Sequence, residues 1–399
     1  MLQSTENVYI GVLLNNAFLK CVEVTMIPNF TFTPPNFSTE KFNNSLNVVT
    51  EPCVKAGVAP ENFYLTRHLP TYYKVADTWH LPKHNSQNCV AVLQNAEIMI
   101  KEIRELEVGD EVICVSDEEQ SLLAQGIYVA KDCYDAAVYN HNGHAVETSS
   151  TSSYNLLVQL MQEQKENKGH ILWVLGPSVV FDYDTRIALE QLAEAGYVNG
   201  LLAGNAMATH VLEGGYLGTA LGQNIYTQET VPMGHYNHLD LLNEVRHSGS
   251  INNFIAQGHV KDGFMKRICE LNIPYVLAGS IRDDGPLPEV IHEASNSLAA
   301  MKELTDKATL IICLATMLHS VATANLASSY RIDEEGNVHP VFFYIVDVTE
   351  NVVRKVSAAR ENFATRTHVT NVQDFIVRIN RALLGKPQTD HKNQAKENA

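Results

Sequence analysis

Val276-Leu277-Ala278-Gly279-Ser280-Ile281-Arg282-Asp283-Asp284-Gly285-Pro286 sets an apolar run directly against a loop of charge. The residues from Tyr275 to Ala278 are apolar without a break, the pattern of a strand covered on both faces of a parallel sheet. In an open parallel sheet, ligands bind beyond the carboxyl ends of the strands. Two carboxylates and a guanidinium at such a strand end are costly to bury unless paired. They form a structural ion pair or they face a ligand.

Working outward, the same rhythm runs from residue 169 to the C-terminus. Apolar runs at 171–175, 198–203, 310–315 and 342–346 read as strands, and each ends in polar or small residues. Helical periodicity falls at 186–195, 239–245, 264–271, 289–304, 352–359 and 374–384. The alternation is the βαβ signature of a doubly wound parallel sheet with helices on both faces, so the fold class is α/β. Residues 1–132 differ. They carry short β-rich runs at 8–14, 18–26, 90–93, 97–103, 111–115 and 126–129, punctuated by proline and turn residues, and read as a smaller N-terminal domain. A Ser/Thr/Asn-rich linker follows at 133–153, then the α/β domain at 154–385, then a polar tail at 386–399 that lacks apolar periodicity and reads as disordered. At roughly 150 residues per domain, 399 residues suit two domains or three.

The net charge of −16 argues against nucleic acid and against an anionic membrane as partners. No apolar run reaches the roughly 18 residues of a spanning helix, which makes the cytoplasm the default location. Seven cysteines without a Cys-x-x-Cys pair speak against a disulfide framework or a zinc ribbon. His68, His80 and His84 match no metal-binding spacing, so no metal is expected.

Several strand ends carry chemistry beside a bland alternative. Gly204-Asn205-Ala206 offers backbone N–H groups at a helix start, where a phosphate can sit, or it is a tight turn. Asp347 ends an apolar strand, where an acidic residue takes ribose hydroxyls and disfavours a 2′-phosphate, or it caps a helix. Gly214, Gly215, Gly218 and Gly222 follow no convincing strand and read as tight packing or a loop; there is no Gly-x-Gly-x-x-Gly fingerprint. Gly234-His235-Tyr236-Asn237-His238 lacks an evident third metal ligand, so its histidines read as hydrogen-bonding or catalytic.

Leu202 to Ala206, Gly234-His-x-x-His, Val276 to Glu289 and Leu314-Ala-Thr-Met-Leu-His-Ser together resemble the archaeal-type ornithine cyclodeaminase family, often labelled lysine-oxoglutarate reductase/saccharopine dehydrogenase-like, and the C-terminal half of the arginine dihydrolase/ornithine cyclodeaminases. The resemblance covers roughly residues 170–385 and reaches more weakly into 62–71 and 88–92. It implies bound NAD in a deoxyhypusine-synthase-like nucleotide fold, a small amino-acid substrate, a homo-oligomer (dimer or tetramer), and a lyase of arginine and ornithine metabolism that makes proline. Carried over by position, the cofactor contacts are Asn205, Ala206, Asp284, Thr316, Met317, Leu318, His319, Asp347, Asn371 and Val372. Asp283 is then the candidate general base, and His319 a proton carrier or a cofactor contact. Arg282 grips the substrate carboxylate or pairs with an aspartate. An amino-acid or opine-type dehydrogenase and a non-catalytic NAD-binding regulator are the competing functions. One departure bears on these. Where the family reads His-Thr-Gly after the strand at 171–175, this chain has Phe181-Asp182-Tyr183. The segment 327–340 also reads as an extension.

Overall fold

The computed structural model describes residues 30, 32–115, 120–134, 152–361 and 363–385. The expected strands at 8–14 and 18–26, most of the linker and the polar tail lie outside these residues.

Seven strands form one parallel sheet: β1 (Ile171–Leu175), β2 (Gly200–Gly204), β3 (Tyr275–Ala278), β4 (Val290–Ile291), β5 (Leu310–Leu314), β6 (Phe342–Asp347) and β7 (Thr365–Val369). Their order across the sheet is β4-β3-β2-β1-β5-β6-β7. The chain builds outward from β1 to one edge, returns, and builds outward from β5 to the other, so the order reverses between β1 and β5. Those two strands pair in parallel from Ile171 opposite Leu310 to Leu175 opposite Leu314. Alternate side chains enter two cores. Trp173, Leu175, Leu201, Ile312 and Tyr344 pack with the helices Ser152–Glu166, Tyr183–Glu194, Asn205–Leu217, Asn237–Ser248, Phe264–Glu270 and Val372–Leu384. Leu172, Val174, Leu202, Cys313 and Phe343 pack on the other face with Ala294–Thr305, Met317–Leu326 and Glu350–Ala359. Burial on both faces is why β1 and β5 are apolar at every position.

Two local expectations change, and a third resolves. The helix expected over 289–304 starts later, at Ala294, because Val290 and Ile291 extend the sheet beside β3. β7 (Thr365–Val369) escapes an apolar-run reading, because it is an edge strand of mixed polarity. Gly214 and Gly215, read as tight packing or a loop, are tight packing, in the interior of the helix Asn205–Leu217. A Cβ at Gly214 would lie 2.4 Å from the Arg186 guanidinium, and one at Gly215 2.2 Å from the Asp262 carbonyl oxygen. Close packing therefore overrides the helix-weakening tendency of glycine.

The N-terminal part is β-rich, as expected. A four-stranded antiparallel sheet runs Val49–Pro52, Glu111–Cys114, Val90–Gln94, Glu97–Lys101, and a three-stranded one runs Thr78–His80, Thr71–Val75, Ile127–Val129. This part sits on the segment that follows helix Met317–Leu326. There, Tyr330–Ile332 and Val338–Pro340 form a hairpin. Asn85 is buried and accepts the Ser329 N–H at 2.9 Å, while Tyr330 Oη donates to the Pro82 carbonyl at 2.7 Å. The 327–340 segment is thus one place where the two parts meet, and Arg67, paired with Glu361, is another. No helix among the described residues is long and apolar enough to cross a membrane.

Candidate functional site

A cavity of about 880 Å³ opens at the carboxyl ends of β3, β2, β1 and β5, across the point where the strand order reverses. Glycines make the opening possible. A Cβ at Gly176, just after β1, would lie 1.9 Å from the Ala315 carbonyl oxygen, just after β5. Ala315 itself holds a left-handed φ of 53°, a conformation that costs about 1–3 kcal/mol and persists only where the surroundings enforce it. A Cβ at Gly204 would lie 2.8 Å from His319 Cε1. The bare backbone at the end of β2 therefore lets the His319 ring lie against it.

Two helices begin on the cavity floor. We number them α1 (Asn205–Leu217), which follows β2, and α2 (Met317–Leu326), which follows β5. Gly204 and Thr316 precede them, and neither start has a side-chain cap. The Pro177–Val180 turn after β1 also lacks one. Free first-turn N–H groups and the positive helix ends make this floor suited to an anion. That observation fits the diphosphate of a dinucleotide.

The opposite wall is acidic and imidazole-rich. Ser280 N–H donates to Asp283 Oδ2 at 2.8 Å, so the Asp283 carboxylate braces its own turn. Asp284 is exposed and stands 3.8 Å from His238 Nε2. Burial lowers the pKa of His319, with the Asp283 charge opposing the shift, so the imidazole is mainly neutral at pH 7. Arg282 lines the cavity and carries no ion pair among the described residues. Asn205 is 5% exposed. Its Oδ1 accepts the Leu287 N–H at 3.0 Å, tying the loop after β3 to the start of α1.

Of the residues proposed from sequence, the structure brings Asn205, Ala206, Asp283, Asp284, Thr316, Leu318 and His319 to this one cavity. Met317 is adjacent and outside the lining. Asp347 lies at the end of β6, where its carboxylate accepts the Thr349 N–H at 2.9 Å. Asn371 caps the helix that Val372 begins, accepting the N–H groups of Gln373 and Asp374. These three stand on the same sheet edge, beyond the cavity lining.

Two cavity groups were not proposed as site residues, His210 and Phe181, and His238, read from sequence as hydrogen-bonding or catalytic, lines the cavity with them. His210 sits on α1, its Nδ1 2.9 Å from the wholly buried Glu213 carboxylate. Extending the helix from Asn205 through the glycines would have put both on one face, three residues apart. Phe181 replaces the histidine of the family pattern and packs edge-on to His210, ring centroids 5.8 Å apart. Asp182 instead caps the next helix through the Thr185 N–H, and Tyr183 packs on Tyr226. Phe181 is thus the member of the altered triplet that reaches the cavity. No three His, Cys, Asp or Glu side chains among the described residues converge in a metal-holding group.

A crevice at the reversal point of a doubly wound parallel sheet, floored by uncapped helix starts, defines an α/β protein of the Rossmann class. Residues 155–379 match the family model described as arginine dihydrolase ArgZ-like, C-terminal, Rossmann fold. An ornithine cyclodeaminase of Methanococcus maripaludis is 34% identical over 291 residues, 71% of this chain and 69% of that protein. A crystal structure of a conserved putative LOR/SDH protein from Methanococcus maripaludis S2 superposes with a TM-score of 0.74 at 31% identity, over 85% of this chain and 98% of that one. The ternary complex of AgrE with ornithine and NAD⁺ gives a TM-score of 0.52 at 27% identity, over 85% of this chain and 46% of that one. The chain belongs to the archaeal-type ornithine cyclodeaminase family, to which the C-terminal part of the ArgZ-like proteins is related.

Proposed function

We propose that the protein is an NAD-dependent ornithine cyclodeaminase, converting L-ornithine to L-proline and ammonia. One observation carries the reading: the anion-suited floor and the wall of carboxylates and imidazoles share a single cavity at the strand reversal. NAD, when bound, supplies a reversible acceptor for the hydride of the substrate's α-carbon, so no net oxidant is needed.

Asn205, Ala206 and the segment Thr316 to His319 would hold the cofactor at the helix starts, with Asp284 at the far wall. Asp347, Asn371 and Val372 would take its adenosine half. Strands stand about 4.8 Å apart, so Asn205 and Asn371, four strands away, are separated by about 19 Å along the edge, a span on the scale of an extended dinucleotide. The substrate belongs at the acidic wall. Arg282, with no carboxylate partner among the described residues, is free to grip the substrate carboxylate bidentately. Asp283 takes the α-ammonium proton, and the neutral His319 beside it accepts or relays a proton.

The test is incubation of the purified protein with NAD and L-ornithine. Equal amounts of proline and ammonia without accumulating NADH support the reading. Stoichiometric NADH would make the protein a dehydrogenase. Bound NAD with no turnover of any basic amino acid would make it a regulator, an outcome the Phe181 replacement keeps in view. An unchanged rate in Asp283→Ala would remove that residue's role.

A further inference from the structure

The Glu213–His210 pair is unused in the chemistry above, although His210 lines the same cavity. Glu213 is 0% exposed. Its Oε1 accepts the Thr219 hydroxyl at 2.7 Å and the Gly222 N–H at 3.1 Å, and its Oε2 accepts the Leu221 N–H at 3.2 Å and faces His210 Nδ1 at 2.9 Å. A buried carboxylate with four such neighbours is paired and hydrogen-bonded throughout, as burial demands. The local sequence is arranged for it. Gly218 closes α1 in a left-handed conformation. The chain then folds back through Thr219 to Gly222, where φ is 70° and a Cβ would lie 2.4 Å from the Gly234 carbonyl carbon. This return presents the hydroxyl and two N–H groups to Glu213.

The consequence for His210 is a fixed tautomer. A carboxylate whose other neighbours all donate can only accept at Nδ1, so Nδ1 carries the hydrogen and, in the neutral ring, the lone pair falls to Nε2. Nε2 has no hydrogen-bond partner among the described residues and is the nitrogen left for the cavity. The neighbouring His238 is held less firmly. Its ring centroid is 6.4 Å from that of His210, and its carboxylate neighbour Asp284 is exposed and 3.8 Å away, outside hydrogen-bond distance.

We propose that His210 is a catalytic proton shuttle for the cyclisation step and that Glu213 is its positioning residue. This rests on the cyclodeaminase reading. Once the α-carbon is an imine, the δ-ammonium must lose a proton before its nitrogen can attack, and the α-nitrogen must gain one before it can leave. Nε2 takes one proton from the δ-ammonium, the δ-nitrogen bonds to the α-carbon, and Nε2 passes that proton to the α-nitrogen; the ring nitrogen sheds its second proton to solvent as the α-carbon–nitrogen bond breaks, leaving ammonia and the cyclic iminium. The transfer is redox-neutral, and His210 ends as it began. Asp283 and His210 thus serve different protons from the same wall.

The experiment has two arms. In protein without substrate or NAD, nitrogen-15 NMR of the histidines should show His210 protonated at Nδ1, and Glu213→Gln should disturb that tautomer because the amide brings a second donor into a nest of donors. A wild-type His210 protonated at Nε2 alone would overturn the proposal. In the second arm, wild type, His210→Ala and Glu213→Gln are mixed with NAD and L-ornithine. His210→Ala should form NADH in the first turnover yet lose proline release by about 10²–10⁴-fold, the range of general acid–base catalysis, with imidazole in the buffer restoring part of it. Glu213→Gln should lose about tenfold or more in kcat with little change in KM, since an imidazole in the wrong tautomer cannot take the proton. NAD binding, measured by calorimetry, should be unchanged in both variants and confirms that they fold. If wild type turns over and His210→Ala matches it, the shuttle fails and the function stands. If wild type makes no proline, both fail.

Discussion

Gly204→Ala tests whether the end of β2 positions His319. The added Cβ would lie 2.8 Å from His319 Cε1, whereas carbon atoms rest at about 3.5–4.0 Å. The ring must therefore retreat by about 0.7–1.2 Å. It cannot do so freely, because His319 is held near Asp283 in surroundings buried enough to depress its pKa. Overpacking of this kind costs about 1–3 kcal/mol of stability, and a displacement of about 1 Å at a reacting group costs on the order of 10²-fold in rate. The matched control is Gly200→Ala, at the other end of the same strand. There a Cβ would lie 2.9 Å from Leu172 Cδ1, a similar overlap away from the cavity. Both variants should lower the melting temperature by comparable amounts, followed by circular dichroism. Gly204→Ala alone should weaken NAD binding in calorimetry and reduce proline formation about 100-fold. Equal turnover and equal NAD affinity in the two variants would show that the placement of His319 does not matter to the ligand.

Two predictions concern stability. Burial lowers the pKa of His368 to about 4 from an ordinary 6.5, and the Arg366 charge adds to the shift. The unfolded chain therefore binds the proton first as pH falls, so stability declines through pH 6.5 and the loss is complete below about 4, reaching about 2 kcal/mol at pH 5 from this residue alone. In denaturant melts, His368→Phe should remove most of that increment, and an unchanged acid slope would refute the cause. Asn85→Ala strips a buried amide that donates to the His68 carbonyl at 2.5 Å and accepts from Ser328 Oγ and Ser329 N–H at 2.9 Å each. The loss should be about 2–4 kcal/mol, and a melting temperature within a degree of wild type would show that this junction is not a stabilising contact.

The legible parts of the fold were those whose physics is local. β1 and β3 were read from sequence at their observed bounds, because strands covered on both faces must be apolar at each position. Their polar ends pointed to a ligand edge for the same reason, since charge is tolerated only where the sheet stops. What escaped was set by partners distant in sequence. Gly214 and Gly215 punctuate the chain like a turn, and only Arg186 and Asp262 explain why a helix accepts them. Losing that helix hid His210 and Glu213, which lie within one turn of each other on it. Val290 and Ile291 carry too few residues for periodicity to separate an edge strand from a helix start.

The sheet order also explains why the chemistry segregates. A diphosphate and a pair of carboxylates cannot share one end of a cavity without repulsion, and burial in low dielectric would sharpen that cost. Here the uncapped helix starts follow β2 and β5, flanking β1 at the reversal point, while Asp283 and Asp284 rise from the loop after β3, on one side of it. Leu287 N–H, bound to Asn205 Oδ1, pins that loop at its root, and Gly285 passes so close to Arg246 that a Cβ would lie 2.8 Å from its guanidinium. The acidic wall is thus held away from the anion floor by two contacts. Under the proposed function, a nucleotide laid along the edge would run from the floor toward β6 and β7, leaving Asp283 and Arg282 to the amino acid. That division would require the loop to keep its root, so on the proposed function Asn205, through its bond to Leu287 N–H, would bear on the substrate end as well as the cofactor end.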